Sequence, residues 1–300
     1  MGLVLEPVGV ATHFNFQVYR GLRRAVRALG VGGRALTPAP REGYGPSLSQ
    51  LAREGYDLVI ATGTASATAL DRVAGAFPRR RFAIVDVPNE ALGGRPDNVQ
   101  GLVFREHEAG YLAGFLAALV AGLARDEPVI SSVGGERTPS VERFAAGYQA
   151  GARRASPEIT ILHDYTGDFV DPVKGRAVAL AQIARGSQVV FQVASACGLG
   201  AIAAAGERGV WAIGVDVDQS DLGAHVLTSA VKRLDLAVWE AIRGLCEGRP
   251  ASGTRVFSLS DGAVGLGPVS PAVPERLRLR LDHLSAEVAS GGVAIPTSLS

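Results

Sequence analysis

Residues 189–216 read VVFQVASACGLGAIAAAGERGVWAIGVD. An apolar run, Val189–Val193, is followed by small residues at helical spacing, and then by a second apolar run, Trp211–Val215, that stops at Asp216. Two runs of strand length joined by one helix form a βαβ unit, which builds parallel sheets covered by helices on both faces. The alternation continues outward from this stretch. Toward the N-terminus it predicts strands at Gly2–Val8, Asp57–Ala61, Phe82–Val87, Val99–Phe104, Val129–Val133 and Ile159–Asp164. Helices are predicted at Asn15–Leu29, Ala65–Phe77, Glu106–Leu123, Ser140–Arg154 and Pro172–Arg185. Within the stretch the helix is expected over Leu199–Arg208. Beyond it lie strands at Val226–Ser229 and Arg255–Leu259 and helices at Leu234–Cys246 and Pro274–Ser290. The class is α/β, and this many units in 300 residues fit two sheets better than one.

Composition narrows the function. The chain is 47% hydrophobic, enough for a sizeable core, and its 30 basic and 29 acidic residues nearly cancel. That balance argues against a partner read through its phosphates and against an electrostatic hold on a membrane. The longest uncharged run, Ala109–Ala124, is shorter than the ~20 residues of a spanning helix. The opening MGLVLEPVG has neither a basic region nor a long apolar stretch, so no signal peptide is read there. Two cysteines, Cys197 and Cys246, are too few for a metal knuckle or a disulfide framework and read as two buried thiols. Glu106, His107 and Glu108 diverge on a helix, so they read as charge at a helix start, not as metal ligands.

In open parallel sheets ligands gather beyond the carboxyl ends of the strands. The residues there are Ala11–Asn15, Ala61–Thr64, Asp86, Gly134–Glu136, Tyr165–Phe169, Ala194–Cys197, Asp216–Asp218 and Ser229–Lys232. They include no Ser–His–Asp set, and no catalytic residue is assigned. Asp86 and Asp216 close their strands and can accept hydrogen bonds from vicinal hydroxyls. Phe14, Phe16, Phe169 and Phe191 lie at or beside strand ends, where aromatic faces can stack on a planar ligand. Lys232 is one of only two lysines, the other being Lys174, against 28 arginines. A compact ammonium retained at a strand end points to a specific hydrogen-bonding role, with Asp216 or Asp86 as partner. Its loss is expected to weaken ligand binding and leave the fold intact. One alternative is enzymatic: Gly198-Leu199-Gly200-Ala201-Ile202-Ala203 with Asp216 outlines a dinucleotide fingerprint for a cofactor such as NAD. Another is a ligand-sensing domain.

Several segments together resemble a known family. FNFQVYRGL (14–22), RFAIVDV (81–87), NVQGLVFREHEAGYLAGFLAAL (98–119), ERFAAGYQAGA (142–152), YTGDFVDPVKGRAVALAQ (165–182), VVFQVASACGLGAI (189–202), AIGVDVDQS (212–220) and LTSAVKRLDLAVWEAI (227–242) resemble the basic membrane protein (BMP, PnrA-like) family. Its members are substrate-binding lipoproteins of ABC importers, mostly for purine nucleosides. The resemblance implies a type I periplasmic-binding-protein fold, with two Rossmann-like lobes, three crossings and a ligand cleft between the lobes. Lobe 1 would comprise residues 1–127 and 230–254, and lobe 2 residues 128–229 and 255–300. It implies a solute-binding protein that captures a nucleoside or similar ribosylated heterocycle without chemistry, with no cofactor. The implied partners are that ligand and an ABC permease, not nucleic acid. The implied location is periplasmic or extracytoplasmic, through a lipid anchor that this chain does not carry. By motif position Asn15 would contact the base, Phe14 or Phe16 with Phe191 would flank it, and Asp86, Asp216 and Lys232 would hold the sugar. Ser195 would approach the ligand from its loop. Two departures fall on the base-facing wall. The family's D-x-S-F-N reads Ala11-Thr12-His13-Phe14-Asn15 here, and its Gly-Gly-Thr reads Ser195-Ala196-Cys197. Relatives with other ligands, riboflavin among them, share the fold.

Overall fold

The structure, a computed structural model, describes residues 1–7, 12–39 and 41–299. In chain order it contains β1 (Gly2–Val4), α1 (His13–Leu29), β2 (Arg34–Leu36), α2 (Tyr44–Arg53), β3 (Leu58–Thr62), α3 (Ala67–Ala76), β4 (Arg81–Val85) and β5 (Val99–Phe104). There follow α4 (Glu106–Ala121), β6 (Val129–Gly134), α5 (Pro139–Ala155), β7 (Thr160–Tyr165), α6 (Pro172–Ala184), β8 (Val189–Val193), α7 (Ser195–Glu207), β9 (Trp211–Asp216) and β10 (Val226–Lys232). The chain ends with α8 (Leu234–Cys246), β11 (Gly253–Phe257), β12 (Val264–Leu266) and α9 (Glu275–Ala289).

Two compact units result. The first comprises Met1–Phe104 and Arg233–Phe257, the second Arg105–Lys232 and everything from Ser258, so the chain passes from one to the other three times. The first sheet has the order β2-β1-β3-β4-β5-β11, with every described neighbour pair parallel. The second repeats it as β7-β6-β8-β9-β10-β12, except that β12 runs antiparallel to β10. Both sheets are doubly wound, with the strand order reversing between β1 and β3 and between β6 and β8. A crevice opens at such a switch point. The divisions fall at 104/105, 232/233 and 257/258, against the expected 127/128, 229/230 and 254/255. The main difference is α4, which belongs to the second unit.

The reason lies in the surface of α4. Fourteen of its sixteen residues are buried. A Cβ on Gly110 would strike the carbonyl of Phe144 in α5, and one on Gly114 the carbonyl of Tyr148. Reciprocally, Gly147 lies on the carbonyl of His107 and Gly151 on that of Tyr111. The segments GYLAG (110–114) and GYQAG (147–151) thus cross backbone to backbone, a close approach that small residues four apart make possible. No described helix is long and apolar enough to cross a membrane, and α4 spends its apolar surface inside this unit.

Local signals place the other elements. Thr12 caps α1 by accepting from the Asn15 amide, and Gly30 ends it in the left-handed conformation at φ 67°. Asp171 caps α6 and Thr138 caps α5, each followed by proline in the first turn. The central strands β3 and β8 are buried at every residue, as parallel strands with two covered faces should be. The expected strand Gly2–Val8 is shorter: it ends at Val4, and Val8 lies outside the described residues. Three elements had no counterpart among the sequence expectations: β2, α2 and β12. Cys197 is buried as expected, but Cys246 at the end of α8 is exposed, and both are free thiols.

Candidate functional site

In the first unit the strand ends carry Glu6 and Asp86 together with the start of α1. Asn15 is fully buried, and its amide is committed to the loop after β1: Oδ1 accepts from the Glu6 N–H at 3.1 Å and Nδ2 donates to the Glu6 carbonyl at 3.2 Å. Asn15 therefore holds that loop as well as standing where a ligand contact was expected. Phe14 is buried beside it, and Phe16 is half exposed on the first turn of the helix. Ala11, the first residue of the expected loop, lies outside the described residues. The Glu6 carboxylate, for which the sequence offered no expectation, lies beside Gly63 just after β3, where a Cβ would come within 2.8 Å of its Oε1. Its charge, after burial, pushes the Tyr44 phenol up to about 12.

In the second unit the corresponding ends carry Gly134–Glu136, Phe169, Ser195, Asp216 and Lys232. The Phe169 ring covers Gly135, where any Cβ would collide with it. Its loop is held by Lys174 on Asp168 at 2.7 Å and by the Cys197 N–H on the Phe169 carbonyl at 3.1 Å. A buried amide pair braces the ends of β8 and β9. Gln192 donates to Gln219 Oε1 at 2.7 Å and accepts from the Ala194 N–H, while Gln219 also accepts from the Val215 N–H. Such a satisfied network fixes loop geometry.

Lys232 ends β10 with its side chain 2% exposed. Its Nζ lies 3.2 Å from Ser140 Oγ, 3.5 Å from Glu106 Oε1 and 3.9 Å from Asp216 Oδ1, beneath the Phe144 ring at 5.9 Å. Glu106 is itself fully buried. Arg143 donates to it from Nε at 2.6 Å and from Nη2 at 3.3 Å, and the Ser140 hydroxyl donates at 2.7 Å. Burial pushes the Glu106 carboxyl up, but the charges of Lys232 and Arg143 and the hydrogen bonds from Arg143 and Ser140 outweigh it and hold the group below the usual carboxylate range. Glu106 and Glu108 stand in the first turn of α4 as expected, and each also has a specific partner. Glu106 organises this corner, and Glu108, also buried, accepts from the Leu259 N–H at 2.7 Å and pairs with Arg105. Lys232 has Asp216 among its partners as expected, with Glu106 nearer.

Backbone strain singles out the same residues. Among the described residues four other than glycine have positive φ, and three of them are Asp86 (68°), Ser195 (52°) and Asp216 (65°). Left-handed backbone costs an ordinary residue roughly 1–2 kcal/mol and is tolerated best by Gly, Asn and Asp. Asp86 follows β4 and Asp216 ends β9, the equivalent strands of the two sheets, and each opens an Asp-Val pair, VDV in both places. That repeated tripeptide is a signal available in the sequence. Strain of this kind collects at sites where a side chain must be aimed. Asp216→Ala is expected to unfold roughly 1 kcal/mol more easily than Asp216→Gly, since only glycine accepts φ 65° without cost. Equal urea midpoints for the two would show that the backbone relaxes.

Two of the residue groups singled out from the sequence sit elsewhere. Phe191 is fully buried, its ring 5.0 Å from Tyr148 and 6.1 Å from Phe144, so β8 turns it into the packing against α5, away from the strand-end group. The Gly198–Ala203 fingerprint does not form a phosphate turn. Helix α7 begins at Ser195, which puts Gly198 already inside it. A Cβ on Gly198 would strike the Gln192 amide and one on Gly200 the Pro172 carbonyl, so these glycines serve the packing of α7 on β8 and α6.

Two doubly wound units linked by three chain passages make the periplasmic-binding-protein type of fold. The family described as ABC transporter substrate-binding protein PnrA-like matches residues 11–297, and the chain belongs to it. An uncharacterised lipoprotein of Pyrococcus furiosus is 32% identical over 84% of this chain and 65% of its own. The ABC transporter nucleoside-binding protein BmpA of Lactococcus lactis is 28% identical over 85% of this chain and 75% of its own. A solved ABC transporter solute-binding protein of Aeropyrum pernix superposes with a TM-score of 0.85 at 27% identity, covering 100% of this chain and 94% of that one. The family binds substrates for ABC transporters and is not enzymatic, which sets aside the cofactor-enzyme alternative.

Proposed function

We propose that this protein captures a nucleoside, or a closely related ribosylated heterocycle, and delivers it to an ABC permease from an extracytoplasmic, lipid-anchored position. The observation that carries this reading lies in the second unit: the strained strand-end carboxylate of Asp216 with the Lys232 ammonium 3.9 Å from it, a strand end that Asp86 repeats in the first unit. Carboxylates accept from vicinal hydroxyls and an ammonium donates back to them, the pattern a ribose needs. Phe14 and Phe16 in the first unit and Phe169 in the second offer aromatic surface, and Ser195 a hydroxyl on a strained backbone. Phe191 stands outside this group, packed on Phe144 and Tyr148. The name of the Lactococcus relative supports the nucleoside class, and the lipoprotein name of the Pyrococcus relative supports the anchor.

Calorimetric titration with adenosine, guanosine, inosine, uridine and riboflavin tests the reading; no binding to any of them would end it. Lys232→Met is expected to weaken the tightest of these by about 1.5–3 kcal/mol, the scale of a lost charged hydrogen bond. The expectation of an untouched fold is revised, because Lys232 is one of two cations holding buried Glu106. The variant should also melt at a lower temperature. Wild-type affinity in a folded Lys232→Met protein would remove Lys232 from the ligand site.

A further inference from the structure

Helix α1 carries four arginines, Arg20, Arg23, Arg24 and Arg27, and no acidic residue. All four are exposed. Their spacing puts them on one face, and each is the i±3 or i±4 neighbour of two others. Like charges at those spacings weaken a helix. The helix dipole favours a cation only in the last turn, where Arg27 alone lies. Helices α5 and α9, the others with three arginines, also carry acids: Glu142 in the first, Glu275, Asp282 and Glu287 in the second. Nor does α8, which packs on α1 at Gly21, neutralise the stripe. Its Asp235 pairs with Arg20 at 2.8 Å and with Arg233 at 2.9 Å, and its Glu240 lines a groove with Gln100, Leu102 and Arg255 of β5 and β11. Among the described residues no ion pair ties a carboxylate to Arg23, Arg24 or Arg27. Arg23 instead donates to the Tyr19 hydroxyl at 3.3 Å, and Arg24 lies over the Trp239 ring at 4.3 Å.

We propose that this face of the first unit, the arginine stripe of α1 with Tyr19 and Trp239, docks on the anionic headgroups of a lipid bilayer. Guanidinium groups take phosphate oxygens in pairs, and tyrosine and tryptophan settle at headgroup level. The stripe runs about 10 Å along the helix, at 1.5 Å per residue. A protein partner would need acids in matching register, whereas a bilayer offers phosphate at every register. On α1 and α8 the one large apolar side chain left exposed is Phe16, at the strand-end tip of α1, so the face lacks the apolar centre of a protein interface. The near balance of charge over the whole chain argues against a general hold on a membrane, and the hold proposed here is local. It is accordingly weak and salt-sensitive. A weak hold is enough for a tethered protein, whose tether keeps the effective concentration of the surface high. The inference goes beyond the ligand reading and draws on it only for the anchored position that keeps a bilayer within reach.

Co-sedimentation of the full chain with vesicles tests it, using phosphatidylcholine alone and phosphatidylcholine mixed with an equal part of phosphatidylglycerol. The wild type is expected to bind the mixed vesicles at low salt, to leave them at about 0.5 M salt, and to ignore the neutral ones. Arg23→Gln, Arg24→Gln and Arg27→Gln combined should lower the partition coefficient by about 100-fold, at about fivefold per arginine. The control is Arg72→Gln, Arg79→Gln and Arg208→Gln combined, three exposed arginines elsewhere whose loss changes the net charge equally. It should bind within about twofold of wild type. All six positions are exposed, so both triple variants are expected to fold. A second readout needs neither: the mixed vesicles should shift the tryptophan emission of the wild type, and Trp239→Phe should abolish most of that shift, leaving Trp211. Equal losses in the two triple variants would reduce the effect to net charge and overturn the inference. So would a wild type that stays in the supernatant at low salt, or an emission shift that survives in Trp239→Phe. Binding to soluble polyglutamate but not to vesicles would give the face to an acidic protein and overturn it too. Each of these outcomes leaves nucleoside binding, read by titration, as it was.

Discussion

Glu106→Leu is expected to cost the second unit about 3–5 kcal/mol, seen as a fall in the urea midpoint at neutral pH. The substitution removes a wholly buried carboxylate and leaves Lys232, 2% exposed, facing an apolar side chain, with the Asp216 carboxylate 3.9 Å away. The penalty comes mostly from Lys232 and Arg143 each losing this buried partner, since breaking one half of a buried pair is far worse than replacing the whole pair. Its pH dependence has a definite sign. The folded protein holds the Glu106 carboxyl below its unfolded range, so the contribution is complete above a pH of about 4.3 and is lost as pH falls through the folded value. The gap between wild type and variant should narrow on acidification. A loss under 1 kcal/mol, or a gap that widens in acid, would mean that Glu106 is not ionised in the folded protein.

Gly114→Val should be nearly as costly, at about 3 kcal/mol, the upper end of what overpacking exacts. At Gly114 the obstacle is the backbone carbonyl of Tyr148, which no rotamer change can move aside. Relief requires α4 and α5 to separate, and that would open the contacts at Gly110, Gly147 and Gly151 together. Gly75 in α3 is the control: it is exposed and nothing lies within reach of a Cβ, so Gly75→Ala should stabilise by roughly 0.5–1 kcal/mol. Equal thermal shifts for the two variants would contradict the backbone-contact account of α4 and α5.

The apolar strands were legible because burial leaves mostly apolar runs of strand length, and Val99–Phe104 and Val189–Val193 match residue for residue. Helix α2 was hidden by its own composition. Gly43, Gly45 and Pro46 read as a turn, yet proline in a first turn loses only an N–H that the helix does not use. Strand β12 is three residues long and depends on β10 continuing to Lys232, so neither could be read locally. Helix α7 starts four residues earlier than Leu199, because Ser195 takes the left-handed turn that a glycine would normally mark. Among the candidate residues, Lys232 was visible through the rarity of lysine and the two aspartates through their strand ends. Glu106 was not, because its burial depends on Arg143, 37 residues away, and on Lys232, 126 residues away. Phe191 illustrates the converse: alternation along β8 decides which way the ring points, and its neighbours Tyr148 and Phe144 come from another element.

The glycine-lined crossing of α4 and α5 also divides the second unit by how readily its parts open. Helix α4 is buried around nearly its whole circumference, and at the crossing its partner's peptide groups lie directly against its own. Water has no path to those amides through a small fluctuation, so α4 belongs to the part of the unit that opens only when the whole unit does. The strained turns at Ser195 and Asp216 are held in another way, by the buried Gln192–Gln219 amide pair at the ends of β8 and β9, and they store energy in their backbone. In this unit the closest helix packing and the most strained strand-end backbone therefore fall to different residues.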